Sequence, residues 1–271
     1  MAEPEAPQTE GFQMSRSRSA LELGVLVGGV AALLGASVWL VRHSVDLAIG
    51  YVPVEVDRTF GEQVSRALGA TSKQCANPAA LAYVEQVAAP LVAGLDDKRF
   101  TFQFSVSASD EVNAFALPGG FITVNHGLLK AADSGEEVAA VLAHELQHVL
   151  QRHGTRRLLR DLGSSALLSA LFGGTDILVP AAVAQDLTHS AYDRDQERES
   201  DSRGLELLSR ADIDPRGMSR FFERLAKTSP TLPTLLSTHP DPGDRARKAA
   251  EAAQRNPGKR PLPSPKGVPC D

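Results

Sequence analysis

His144-Glu145-Leu146-Gln147-His148 sets two imidazoles four residues apart with a carboxylate between them. On a helix, residues i and i+4 share a face one turn apart. Both rings can then hold one Zn²⁺, and Glu145 is placed to take a proton from a water at the metal. The pattern points to metal-assisted hydrolysis, with His144 and His148 as ligands and Glu145 as general base. HExxH is short enough to arise by accident in a His- and Glu-rich helix, so its surroundings decide. Val138, Val141, Leu142, Leu146, Val149 and Leu150 make the helix apolar and buried. Two histidines and a glutamate buried without partners are costly, and a metal removes that cost.

A catalytic zinc needs a third protein ligand and an open position. A charged helix over about 190–209 offers Asp193, Asp195, Glu197, Glu199 and Asp201. Most of such a run is solvated face. Glu197 and Asp201 are i and i+4, so one can reach the metal while the other holds a ligand imidazole from behind. Spacing alone does not choose among the five.

The elements that must position these residues are mostly helical. Val56–Leu68 and Pro78–Leu95 read as amphipathic helices, the second with Asn77 as N-cap and Pro78 at its first position. The period then changes to two. Phe102, Phe104 and Val106 alternate with polar neighbours, and 114–117 and 121–124 flank Pro118-Gly119-Gly120 as a hairpin. The HExxH helix is expected over about 134–153, opened by a Ser134/Glu137 capping box and closed by Gly154. Apolar stretches at 156–172 and 176–188 suggest a helical hairpin. Asp214-Pro215 opens a further helix, a Pro-rich loop follows, and a charged helix covers about 241–254. The fold class expected is α+β, mainly helical, with a small sheet.

Several segments together resemble zinc metallopeptidase family forty-eight. These are gluzincins that include HtpX-type membrane proteases, the CAAX prenyl protease and periplasmic and mitochondrial quality-control peptidases. The segments are HExxH with Glu197-Arg198-Glu199-Ser200-Asp201, Asn113-Ala114-Phe115-Ala116-Leu117-Pro118-Gly119-Gly120, Arg152-His153-Gly154, the approach Tyr192 to Glu197, and Thr238-His239-Pro240. The resemblance spans about residues 55–250. It implies a zincin-like domain over 55–254, one zinc per subunit, Glu197 as third ligand and Asp201 as the partner of a ligand imidazole. It also implies substrate binding along Asn113, Ala114, Phe115 and Ala116, where an edge strand could pair with an extended peptide. His239 is a candidate for gating the metal or touching the reacting carbonyl. Ser200 departs from the family's usual alanine. His126, His153 and His189 read as structural, His153 because helical arithmetic turns it away from His148.

Residues 23–41 carry no charge and, as a helix of about 28 Å, match a bilayer's hydrocarbon core. Residues 1–22 read as a disordered leader and 255–271 as a Pro-rich tail. A single-pass signal anchor is expected, with the catalytic domain periplasmic or extracytoplasmic. A cleaved signal, with secretion to the periplasm, is the alternative. Cys75 and Cys270 are the two cysteines. They could pair in an exported protein or stay two free thiols. A net charge of −5 with 5% aromatics gives no nucleic-acid surface. The function expected is a membrane-anchored metalloendopeptidase of envelope protein quality control, with a protein or peptide substrate. The alternatives are a zinc-holding pseudo-peptidase acting as a chaperone or partner-binding module, and a prenyl-protein protease, which would need several spans.

Overall fold

The computed structural model describes residues 16–69, 73–172, 174, 179–189, 192–228, 234–239 and 242–271; the side chains of 16–20, 38, 41, 42, 164, 165, 181, 184, 189, 228, 236 and 242–244, that of His189 among them, lie outside the description. The leader up to residue 15, the Pro-rich loop at 229–233, and Gly173, Asp176 and Pro240 lie outside the described residues. The chain divides into two units, Met1–Ser44 and Val45–Asp271.

In the first unit runs most of α1 (Arg16–Ala48), one uninterrupted helix of 33 residues. Its large apolar side chains, from Leu21 to Leu40, are mostly more than half exposed. Among the described residues, no helix is long and apolar enough to cross a membrane. The anchor therefore stays a reading of the sequence.

In the second unit, α2 (Val54–Gly69) and α3 (Pro78–Ala93) precede the sheet. Asn77 caps α3 by accepting the Ala79 amide at 3.0 Å, as its sequence demands. Strands β1 (Gln103–Ser107), β2 (Ala114–Leu117) and β3 (Phe121–Asn125) form one sheet in the order β1-β3-β2. β1 runs parallel to β3, while β2 and β3 form the expected antiparallel hairpin, which leaves β2 at an edge. Gly119 turns that hairpin at φ 78°, and α2 crosses so close that a Cβ on Gly61 would stand 2.0 Å from the Pro118 carbonyl oxygen.

α4 (His126–Ala131) leads into α5 (Gly135–Leu150), the HExxH helix, which is buried along nearly its whole length. Two expectations about its ends fail. Ser134 makes no capping bond, and the Glu137 carboxylate does not return to the Ser134 amide: it accepts the Asp133 amide at 2.8 Å and pairs with Arg224 at 2.5 Å. At the other end Gly154 is not the stop. α5 ends at Leu150, Arg152 adopts the left-handed conformation at φ 58°, and α6 (His153–Leu162) has already begun. Arg152 is held there by donating to the carbonyls of Ile49 (2.6 Å) and Val52 (2.8 Å) and to the buried Asp57 (2.5 Å). Tertiary bonds override the glycine signal.

α7 (Ser164–Leu171) and α8 (Ala181–His189) follow, the break before α7 falling at Gly163 with φ 84°. α9 (Arg194–Arg210) opens on a complete capping box of Asp193 and Gln196. α10 (Arg216–Thr228), α11 (Thr234–Thr238) and α12 (Pro242–Arg255) complete the helices. α5 and α9 pack closely, Gly204 lying against the Ala143 backbone. The final Pro-rich stretch is bound along the domain: Tyr83 donates to the Pro263 carbonyl, the Lys259 amide to Asp212, and Cys75 and Cys270 form a disulfide.

Candidate metal centre

α5 and α9 converge on one point. His144 Nε2 and His148 Nε2 lie 2.9 Å apart. From α9, the Glu197 carboxylate stands 3.6 Å from the first and 3.4 Å from the second. Donor atoms about 2.0–2.1 Å from a shared tetrahedral centre stand roughly 3.3 Å apart. The three separations bracket that value, so the donors fit a zinc ion in both chemistry and spacing.

The fourth member is His239, just past α11. Its Nδ1 is 3.1 Å from His144 Nε2 and 3.0 Å from Glu197 Oε1, and its Nε2 is 3.5 Å from Glu145. His144, His148, Glu197 and His239 thus form one buried group. Glu145, 1% exposed, has both carboxylate oxygens buried without a hydrogen-bond partner, although the Ala116 amide is near enough to favour its ionised form.

Behind the donors, Asp201 accepts from His144 Nδ1 at 2.8 Å, which turns Nε2 inward. Arg245, unremarked in the sequence because it stands in an ordinary charged helix, is fully buried. It bonds Asp201 at 2.8 Å and Glu197 at 3.1 Å, and its guanidinium lies 4.2 Å from the Phe222 ring centre. A buried arginine between two carboxylates has no signature in one sequence. His153 corrects its expected direction: its Nδ1 is 3.0 Å from His148 Nδ1. The left-handed turn at Arg152 redirects it, so helical arithmetic fails past Leu150. Tyr192 stacks on His148 with ring centres 4.1 Å apart.

The electrostatics follow from burial and pairing. Burial pushes the Glu145 carboxyl above its usual range, and the nearby His239 and His144 only partly oppose this. Burial also pulls His148 down to about 3. For Glu197 burial acts upward, but His239 and His144 outweigh it and hold the carboxyl far below its ordinary value. Asp201 is likewise lowered against its burial, by His144 and Arg245. His239 is raised despite burial because it faces Glu197 and Glu145.

The edge strand reaches the same place. Ala114, Phe115 and Ala116 line a cleft with Glu145, Tyr192 and His239. The cleft holds only about 10 Å³, barely one water. Asn113, expected to bind substrate with these three, does not line the cleft; it lines a neighbouring groove together with Phe115.

A family model, peptidase family M48, matches residues 78–253. The chain belongs to peptidase family M48. Members of M48 are zinc-dependent, and the buried donor group suits that metal. Among M48 relatives, the β-barrel assembly-enhancing protease of Escherichia coli (strain K12) is 30% identical over 212 residues, covering 72% of this chain and 43% of that protein. The mitochondrial metalloendopeptidase OMA1 of Schizosaccharomyces pombe is 26% identical over 249 residues, 82% of this chain and 70% of the relative. The metalloprotease LoiP of Escherichia coli is 31% identical over 150 residues, 53% and 59% of the two chains. The chain spans less than half the length of the β-barrel assembly-enhancing proteases it matches.

Proposed function

We propose that this M48 chain is a zinc-dependent endopeptidase. The observation that carries the reading is the convergence of His144, His148 and Glu197 beside a buried, unpartnered Glu145 carboxylate. His144, His148 and Glu197 would hold the ion, and Asp201 orients His144. Zinc bound there would polarise the scissile carbonyl and bring the pKa of a water to about 7. Glu145 takes the proton and returns it to the leaving amine, a task for which burial and the absence of hydrogen bonds leave its oxygens free. The outer edge of β2 gives an extended substrate a backbone to pair with.

His239 closes the cleft in this arrangement. Its ring occupies the space nearest the donors that the reacting carbonyl needs, so substrate entry requires the α11 segment to move. This supports gating over contact with the carbonyl.

The reading extends to the cell envelope. The exposed apolar length of α1 supports a membrane anchor, and the Cys75–Cys270 disulfide supports an oxidising compartment outside the cytoplasm. Protein quality control there is the role the reading assigns, and a place in the envelope fits the name β-barrel assembly-enhancing protease that relatives carry. The closed cleft also favours a second reading, a zinc-holding module that binds partners without cleaving them. Casein hydrolysis separates the two. Cleavage by the zinc-loaded chain, stopped by a chelator and abolished by Glu145→Gln with zinc retained, is the expected result. Full cleavage by Glu145→Gln overturns Glu145 as the base, and no cleavage by the native chain favours the module.

A further inference from the structure

The second face of the sheet, away from α5, carries a groove that the catalytic reading leaves unused. Two cross-strand rows form its floor. Phe115, Thr123 and Ser105 make one; Asn113, Asn125 and Ser107 make the next, in the register that pairs β1 and β2 with β3. Alternating Ser, Thr and Asn on a strand normally marks a solvent-facing side. Here α2 and α8 stand over that side, and the second row is covered: Asn113 is 3%, Asn125 5% and Ser107 5% exposed. Buried polar groups are as a rule hydrogen-bonded. The Asn113 carboxamide oxygen is buried with no partner.

The groove has a volume of about 700 Å³, within the range of about 300–1,000 Å³ of ligand-binding clefts. It borders the cleft at Glu145, and Phe115 and Thr188 line both. Among the described residues no lysine or arginine lines it and Glu111 is the one charged residue, so it suits neither a phosphate nor a carboxylate; Leu68, Phe115 and Leu117 give it an apolar side.

We propose that this groove is a second binding site for the polypeptide substrate, selective for an extended stretch of uncharged polar residues (Ser, Thr, Asn or Gln) next to the bond being cut. Hydroxyls and carboxamides both donate and accept, so such a stretch can satisfy the floor, and a side-chain N–H pairs with the Asn113 oxygen once the carboxamide turns out toward the groove. An apolar stretch leaves that oxygen unpaired and is disfavoured. Cleavage by the metal site and selection by the sheet face would then be divided between two surfaces that meet at Phe115. The proposal rests on the peptidase reading for its occupant but not for its test.

The test uses the full chain carrying Glu145→Gln, zinc-loaded, with two fluorescent twelve-residue peptides. One is built of Ser, Thr, Asn and Gln; the other has Leu and Val at alternate positions. Anisotropy is expected to show the polar peptide binding at least tenfold more tightly. Ser107→Phe fills the groove from the floor, and Ser65→Trp fills it from the α2 wall, where a larger side chain leaves the core untouched. Each is expected to cost at least tenfold in polar-peptide affinity and leave the apolar peptide unchanged, with circular dichroism confirming the fold. Equal affinities for the two peptides mean that the groove holds water only and overturn the proposal. So does unchanged polar-peptide binding in Ser65→Trp. Failure of casein cleavage by the native chain would overturn the peptidase reading alone.

Discussion

Replacing Arg152 by methionine tests how the zinc helix is tied to the segment before α2. The guanidinium donates to Asp57 at 2.5 and 3.1 Å and to the carbonyls of Ile49 and Val52, all buried, and to the half-buried carbonyl of Pro53. At an effective dielectric near 20, a charge pair at 2.5 Å interacts by roughly 6–7 kcal/mol gross. Most of that is offset by desolvation, and breaking a buried pair from one side costs about 3–5 kcal/mol net. Asp57, 1% exposed, would then keep the Thr155 hydroxyl and its own backbone amide as partners. The expected loss at neutral pH is therefore about 3–5 kcal/mol in urea denaturation followed by far-UV circular dichroism. Its pH dependence has a definite sign. Burial raises the Asp57 carboxyl above its ordinary value even though Arg152 opposes this, so the folded state holds the proton more tightly than the unfolded one. That contribution is present at acid pH and lost as pH rises through the folded value. Without Arg152 the folded value climbs further. The gap between native and variant should then be smaller at acid pH, where only the bonds to the three carbonyls are lost, and widen toward neutrality. A loss below about 1 kcal/mol, or two stability curves that stay parallel from pH 4 to 7, would refute the reasoning.

Other outcomes follow from single contacts. His239→Ala should open the cleft and raise peptide hydrolysis while zinc content stays at one per chain; a fall in kcat would assign the ring to the reacting carbonyl instead. Cys75→Ser with Cys270→Ser removes a cross-link spanning 195 residues and should lower stability by up to about 5 kcal/mol, read from the urea midpoint. Asp214→Ala deletes the bond from the Arg216 amide at the start of α10 and should cost about 1 kcal/mol. The Asp214 carboxyl is lowered against its burial by Arg216 and Arg220. Its contribution is thus present above the unfolded value of about 3.9 and should vanish as pH falls below it, which thermal melts from pH 3 to 7 can follow.

The chemistry of the centre was legible in the sequence because it obeys local geometry. HExxH needs only the helical repeat to aim two rings one way; on the second helix the same repeat puts Glu197 and Asp201 on one face but leaves five carboxylates open, and the family resemblance chose between them. The hairpin, the cap at Asn77 and the start of α10 were readable for the same reason: a few neighbouring residues decide them. Tertiary structure decided whatever depends on residues distant in sequence. Distant carbonyls hold Arg152 left-handed, which ends α5 early and swings His153 back to His148. Arg245 reaches the site from a helix, 48 residues beyond Glu197, and is buried there against Phe222, Asp201 and Glu197. Whether His239 stands at the donors, whether Cys75 meets Cys270 and whether the polar side of the sheet is roofed are likewise settled by which elements pack together. Local pattern fixes the direction of a side chain along its own element; burial and partners come from the elements that fold against it.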